Sequence, residues 1–324
     1  MKEAMELVIT PPAGLEIAAL DAVNDIREAF ASGPVQIGPA IQGAWWYRRF
    51  GLQMQGDGPA AAFRDTIGGA GQRFCADPVR LRVSGDAVVL DAVAATDLSS
   101  DDAAGLIEIL NRHFAADGIA FRAIAPDQWL MDSDKPIDAT TFAPELAHAR
   151  SIETFLPQGS HARRLKQIGN EAQMLFHECE INNAREARGQ APINGLWLWG
   201  GARACPAVAP LPGARLFSNR QHVRGLASAT GAAVAPLQLG AAEIQHADGT
   251  MIIDLFAAFA DPQGWTDWLA EHWLAPLKKR GEPVRITLDM PAACASAPLF
   301  RIDFWRFLRR ASLAARLASA GVDI

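Results

Sequence analysis

The 324-residue chain reads as an α/β protein, and three patterns predict this. From Ala214 onward, short apolar runs alternate with helical stretches, as in strands joined by crossover helices in a mostly parallel sheet. Residues 75–132 instead read as two strands, a helix and two strands, a β-β-α-β-β unit. Half the residues are hydrophobic and a fifth are charged, a balance that buries a substantial core at this length. The expected organisation is an N-terminal α+β region (1–150) and a C-terminal α/β region (151–324), able to pack as one domain. The polar, Pro- and Gly-containing stretch 132–160 holds the best candidate boundary.

Met5 to Thr10 is a β-type run stopped by Pro11-Pro12, and Leu15 to Ala31 has helical spacing that ends at Gly33-Pro34. Trp45-Trp46-Tyr47-Arg48-Arg49 lies in a glycine-rich stretch and reads as an irregular loop packed on the domain. Val79 to Val83 alternates, Ser84-Gly85-Asp86 turns and Ala87 to Leu90 is apolar, which together make a hairpin. Ser99-Ser100-Asp101-Asp102 is the expected start of a helix over Ala103 to Ala116, and strands follow at Ile119–Ile124 and Gln128–Met131. With Ser160 as its cap, one long helix is expected from His161 to about Gly189, because Leu165, Ile168, Ala172, Leu175, Phe176 and Cys179 share a face. After the tryptophan strand Leu196–Trp199 come a loop (203–213), a strand (214–217), a helix (221–230) and a strand (233–237). A strand at 250–256, a helix at 265–280, a strand at 284–288 and a last helix from near Ile302 complete the reading. That last helix, with Arg301, Arg306, Arg309, Arg310 and Arg316, reads as an amphipathic docking helix with a solvated basic face.

Thirty Lys and Arg against 36 Asp and Glu give a net charge of −6, which argues against nucleic acid as a partner. The N-terminus has no apolar signal core, and no run reaches the length of a membrane span. Four scattered cysteines, with no C-x-x-C pair, point to a reducing cytoplasm rather than to a disulfide framework.

The common catalytic signatures are missing. There is no G-x-S-x-G elbow, no Walker loop and no G-x-G-x-x-G after a strand. His177-Glu178-Cys179-Glu180-Ile181 begins like a zincin helix, but Ile181 stands where the second histidine is needed. The seven histidines form no i,i+4 pair. No metal ligand and no catalytic residue is assigned from the sequence.

The segment from Asn182 to Gly201 is the candidate site, with Asn182, Arg185, Asn194, Trp199, Gly200 and Gly201 as its ligand-binding residues. Arg grips carboxylates and phosphates with two parallel bonds. Glycines after a strand let a ligand approach, and open α/β sheets bind ligands at the carboxyl ends of their strands. The competing reading is a helix–strand junction locked by Asn hydrogen bonds and Trp packing, and physics alone favours it.

At these residues a resemblance enters. Gln158-Gly159-Ser160, Asn170-Glu171-Ala172-Gln173-Met174, Ile181-Asn182 with Arg185, Arg188-Gly189 and Asn194 through Gly201 resemble a proteobacterial family of regulatory and phosphoglycerate mutase-like proteins. Cys75-Ala76-Asp77-Pro78-Val79-Arg80-Leu81 and Asp117-Gly118 resemble it too. More distantly, residues 181–231 are similar to archaeal-type cofactor-independent phosphoglycerate mutases of the alkaline phosphatase superfamily. That resemblance implies a fold alkaline phosphatase-like in part, two divalent metals held by Asp and His, and a Ser nucleophile. The chain departs from the pattern: its first strand ends in Thr10-Pro11-Pro12 where an Asp would stand, and it has no Asp-His dipeptide.

The expected function is therefore that of a pseudoenzyme with a regulatory role, binding a phosphorylated small molecule or a protein partner without a cofactor. One alternative is a phosphotransferase or phosphomonoesterase with a rebuilt site using Mn or Zn. Another is a structural interaction module.

Overall fold

The fold is described from a computed structural model, which describes residues 5–11, 19–20, 23–32, 36–39, 44–52, 58–65, 71–91, 97–147, 150–177, 179–237, 250–256, 262–280, 284–290, 293–299 and 313–319. The chain forms two compact units. One comprises residues 1–52 and 208–324, and the other, residues 53–207, is inserted between those two stretches. The boundary expected between 132 and 160 falls inside the inserted unit, because strands early and late in that unit pair with each other.

The discontinuous unit is built on a seven-stranded mixed sheet in the order β2-β12-β11-β1-β10-β8-β9. Its strands are β1 (Met5–Thr10), β2 (Gln36–Pro39), β8 (Arg215–Phe217), β9 (Ala233–Ala235), β10 (Met251–Phe256), β11 (Val284–Asp289) and β12 (Ala293–Leu299). β11, β1, β10, β8 and β9 run parallel, as the alternation of strands and helices predicts, while β12 and β2 add an antiparallel edge. Neither β12 nor the edge strand β2 was legible: Ala293–Leu299 is mostly small residues and β2 has only four.

Period-two alternation places Leu7, Ile9, Ile253, Leu255, Ile286 and Leu288 on one face of this sheet, in a single apolar core. Helix α1 (Asn24–Ser32) adds Ile26 and Phe30 to that core. The expected helix at 265–280 is found as Pro262–Trp268 continued by a π-helical stretch, Leu269–Leu274, and by Ala275–Arg280. It contributes Trp265, Leu269 and Trp273 to the same core.

The stretch read as an irregular loop forms helix α2 (Ala44–Arg49), which buries Trp46 and Tyr47, with Phe50 just beyond buried as well. Positions 46, 47 and 50 share one helical face, and that apolar stripe overrides the surrounding glycines. The residues from 301 to 312, and with them four of the five arginines of the expected last helix, lie outside the described residues. Farther on, Leu313–Ser319 is helical and packs Leu313 and Leu317 into the core.

The inserted unit is antiparallel and matches the expected β-β-α-β-β order. β3 (Gln72–Ser84) and β4 (Ala87–Asp91) form the hairpin, and α3 (Ala60–Arg64) precedes it. Helix α4 (Ser100–Phe114) follows, then β5 (Ile119–Ala125) and β6 (Gln128–Ser133). Within the helix start expected at 99–102, the structure makes Ser99 the cap: its hydroxyl accepts from Asp102 N at 3.1 Å.

The expected single helix 161–189 is two: α5 (Ala162–His177) and α6 (Glu180–Ala187). Cys179 is extended, and the free Phe176 carbonyl at the end of α5 accepts from Asn182 Nδ2 at 2.7 Å, so the break is satisfied internally. Ser160 does not cap α5; its hydroxyl donates to Asp138.

The tryptophan strand β7 (Gly195–Ala202) pairs antiparallel with β3, in this unit and not in the parallel sheet. Leu196 and Leu198 face the core shared with α4 and α5, while Trp197 and Trp199 face Ala60, Ala61 and Cys75 on the other side. Among the described residues no helix is long and apolar enough to cross a membrane.

Candidate functional site

The six residues expected to bind a ligand all lie in the inserted unit, in two groups. Asn182 and Arg185 sit on α6, a helix held at its C-terminal end by Arg188 and Gly189. The Asn182 side chain is buried and donates to Phe176 O and Ile193 O, both at 2.7 Å, while its oxygen accepts from Ile193 N at 2.9 Å. Arg185 is fully buried. Its Nε and Nη2 donate to Ala191 O at 3.1 and 3.0 Å, Nη2 also reaches Asp97 at 2.6 Å, and Nη1 reaches Asp102 at 3.3 Å.

Asn194 works like an added strand residue: its Oδ1 accepts from Leu81 N at 2.6 Å and its Nδ2 donates to Leu81 O at 2.8 Å. The polar atoms of these three side chains hold the turn between α6 and β7. Arg185→Ala should therefore lower stability by about 1–3 kcal/mol, because its bonds to Ala191 O and Asp102 are lost while Asp97, 43% exposed, is left to water and Asp102 keeps Arg188, as read by urea unfolding.

Trp199 belongs to a second cluster. Its Nε1 donates to Asp77 Oδ2 at 2.8 Å, and Asp77 is bridged by both Nη atoms of Arg64, which stacks 5.1 Å from the Trp199 ring centre. Burial by itself favours a neutral guanidine at Arg64, but Asp77 first, with Cys75 and Glu145 adding to it, outweighs burial and the charge is held more firmly than in water. Nearby, burial pushes the Asp127 carboxyl above its usual range. A carboxyl whose folded value is raised loses stability as pH rises through that value, so Asp127→Asn should raise the melting temperature at pH 7 and leave it unchanged at pH 3.

The glycine pair that follows is explained by packing. Gly200 is left-handed (φ 64°) and donates to Thr141 Oγ1 at 3.1 Å; a Cβ there would meet Ala60 Cβ at 2.6 Å. At Gly201 a Cβ would lie 2.4 Å from the Phe74 ring, so Gly201→Ala should cost about 1–3 kcal/mol in thermal unfolding.

A second constellation, in the discontinuous unit, was not foreseen. The sheet face opposite the apolar core carries five buried polar residues: Thr10 and Asp289 end β1 and β11, Ser218 follows β8, and Asp254 and Thr287 stand two residues before the ends of β10 and β11. Asp254 is wholly buried and accepts from Arg220 Nε at 2.9 Å, Arg220 Nη2 at 2.8 Å and Ser218 Oγ at 2.6 Å. Ser218 Oγ accepts in turn from Arg220 N at 3.0 Å, and the guanidinium lies 5.6 Å from the Trp46 ring centre. At the end of β1 the Thr10 hydroxyl is buried with no hydrogen-bond partner among the described residues. One signal for this site stood in the sequence: a charge in the middle of Met251-Ile252-Ile253-Asp254-Leu255-Phe256 must be buried, and a buried carboxylate needs a partner.

The two-metal arrangement implied by the resemblance was tested against these residues. Both oxygens of Asp254 are engaged by a guanidinium, and among the described residues no three His, Cys, Asp or Glu side chains converge on one point. The described residues do not fit a two-metal centre.

No family model matches the chain. Over 146 residues, 45% of this chain, it is 26% identical to the probable 2,3-bisphosphoglycerate-independent phosphoglycerate mutase of Geobacter sulfurreducens, of which the match spans only 37%. Among solved structures, cofactor-independent phosphoglycerate mutase from Thermoplasma acidophilum is similar at 14% identity and a TM-score of 0.45, over 99% of this chain and 96% of that one. The PH0037 protein from Pyrococcus horikoshii is similar at 13% identity and a TM-score of 0.49, over 92% and 88%. The chain is thus a mixed α/β protein with a distant likeness to cofactor-independent phosphoglycerate mutases.

Proposed function

We propose that this chain is a phosphoglycerate mutase-like protein that works by binding a phosphorylated metabolite and not by metal-dependent phosphoryl transfer. The observation that carries this reading is the Arg220–Asp254 pair. It lies where an open α/β sheet presents its ligands, and its arginine supplies the positive charge that a cation would otherwise bring to Asp254. Metal-assisted phosphoryl transfer needs carboxylates free to hold a cation against the phosphoryl oxygens. A carboxylate gripped at both oxygens binds a cation only after the arginine leaves. The choice of phosphoglycerate as the ligand to try rests on the likeness to the Geobacter mutase.

The test is calorimetric titration of 3-phosphoglycerate into metal-stripped protein and into protein supplied with Mn. Equal binding in both samples is the expected result. Binding and turnover only with Mn would restore the enzyme reading, and no binding in either would reject phosphoglycerate and favour a protein-interaction module.

A further inference from the structure

We propose that the crevice between α5 and the outer edge of β7 receives an extended segment of a partner protein, bearing an apolar side chain and a carboxylate. The argument starts from backbone directions in the inserted unit. Leu81 N–H and C=O both engage the side chain of Asn194, so Leu81 turns its backbone toward the β7 side of β3. In an antiparallel strand that direction repeats every second residue, so Asp77 and Cys75 also face β7, opposite Trp197 and Trp199. Leu196 and Leu198 therefore turn their N–H and C=O away from β3. Gly200, next in that alternation, shows the outward direction, since its N–H leaves the sheet for Thr141.

Among the described residues no strand pairs with β7 on that outer side, and no hydrogen bond takes up the outward groups of Leu196 and Leu198. Yet these residues are only 7% and 6% exposed. Buried backbone groups without partners cost stability, and natural folds satisfy nearly all of them.

What these groups face is a crevice of about 220 Å³. Leu165 and Trp197 line it deep down, and Phe155, Leu156 and Pro157 form one wall. Along the other wall Lys166, Asn170 and Gln173 stand at i, i+4 and i+7 of α5, one helical face, with exposed side chains that make no hydrogen bond among the described residues. Among the described residues of the lining, Lys166 is the one that carries a charge.

An extended peptide matches this set. Its backbone repeats donor and acceptor with the period of the strand edge, one side chain in two enters the apolar crevice, and an acidic group answers Lys166. Asn170 and Gln173, prominent in the sequence and without a side-chain bond among the described residues, then gain a role at the rim.

The test uses the full chain and a fluorescein-labelled, capped pentapeptide of valines with one aspartate, followed by anisotropy. A twin peptide N-methylated at alternate residues cannot donate strand hydrogen bonds and should bind roughly tenfold more weakly. Lys166→Glu should weaken the acidic peptide but not a neutral one. Gly169→Ala should weaken both: a Cβ there meets only Leu196 O at 3.8 Å, so the fold is kept while a methyl enters the crevice.

Independently of the ligand, amide exchange in the free monomer should be faster at Leu196 and Leu198 than at Trp197 and Trp199, and should slow when the peptide is added. Equal protection in the free monomer overturns the proposal, as does equal binding of the two peptides. Protection that grows with protein concentration assigns the edge to a second copy of this chain and also overturns it. Fast exchange with no binding of either peptide leaves only water in the crevice, with the same consequence.

Discussion

Replacing Arg64 with alanine lowers the stability of the chain by about 3–5 kcal/mol, the expected cost of leaving a buried charge without its partner. Both side chains of the Arg64–Asp77 pair are almost fully buried, at 5% and 11% exposure, and among the described residues Asp77 would keep the Trp199 indole alone as a donor. The lost stacking of Arg64 on Trp199 adds a smaller term. Urea unfolding followed by tryptophan fluorescence measures the loss. A double replacement, Arg64→Met with Asp77→Leu, separates charge from packing: it should recover most of the loss, because apolar groups of similar size replace such pairs at little cost. A single variant as stable as the natural chain would show that water or another cation reaches Asp77.

Arg220→Ala should cost a similar amount, about 3–5 kcal/mol, and should change how the protein responds to metal. Asp254 is wholly buried in the sheet and, among the described residues, would retain one hydrogen bond, from Ser218. Its carboxylate would then gain from any cation able to reach it. Added Mn should accordingly raise the melting temperature of Arg220→Ala and leave the natural protein unchanged, since a ligand stabilises only the form that binds it. Asp254→Asn serves as the control, because it removes the group that would hold the cation. If Mn stabilises the natural protein as strongly as the variant, the arginine does not stand in for a metal, and the binding reading of this chain fails with it.

The sequence by itself determined the local structure of several elements whose periodic pattern is short and bounded by clear turn or cap residues. The hairpin of β3 and β4, the Ser99-capped helix α4 and the parallel strands β1, β8, β9, β10 and β11 each follow from alternation or helical spacing within a dozen residues. The junction from Asn182 to Asn194 was legible as well, in the reading that physics alone favoured. Asparagines beside a turn hold backbone groups, and here they do.

Only the tertiary structure decided which strand lies beside which. Whether β7 joins the parallel sheet or pairs with β3, more than a hundred residues earlier, depends on which buried faces fit together. Those fits, such as Trp199 against Asp77 and Gly201 against Phe74, are not encoded by nearest neighbours. Arg220 and Asp254 are likewise 34 residues apart and meet through strand order. The lone Asp254 announced that it needed a partner, but only the packed sheet could say that the partner is an arginine.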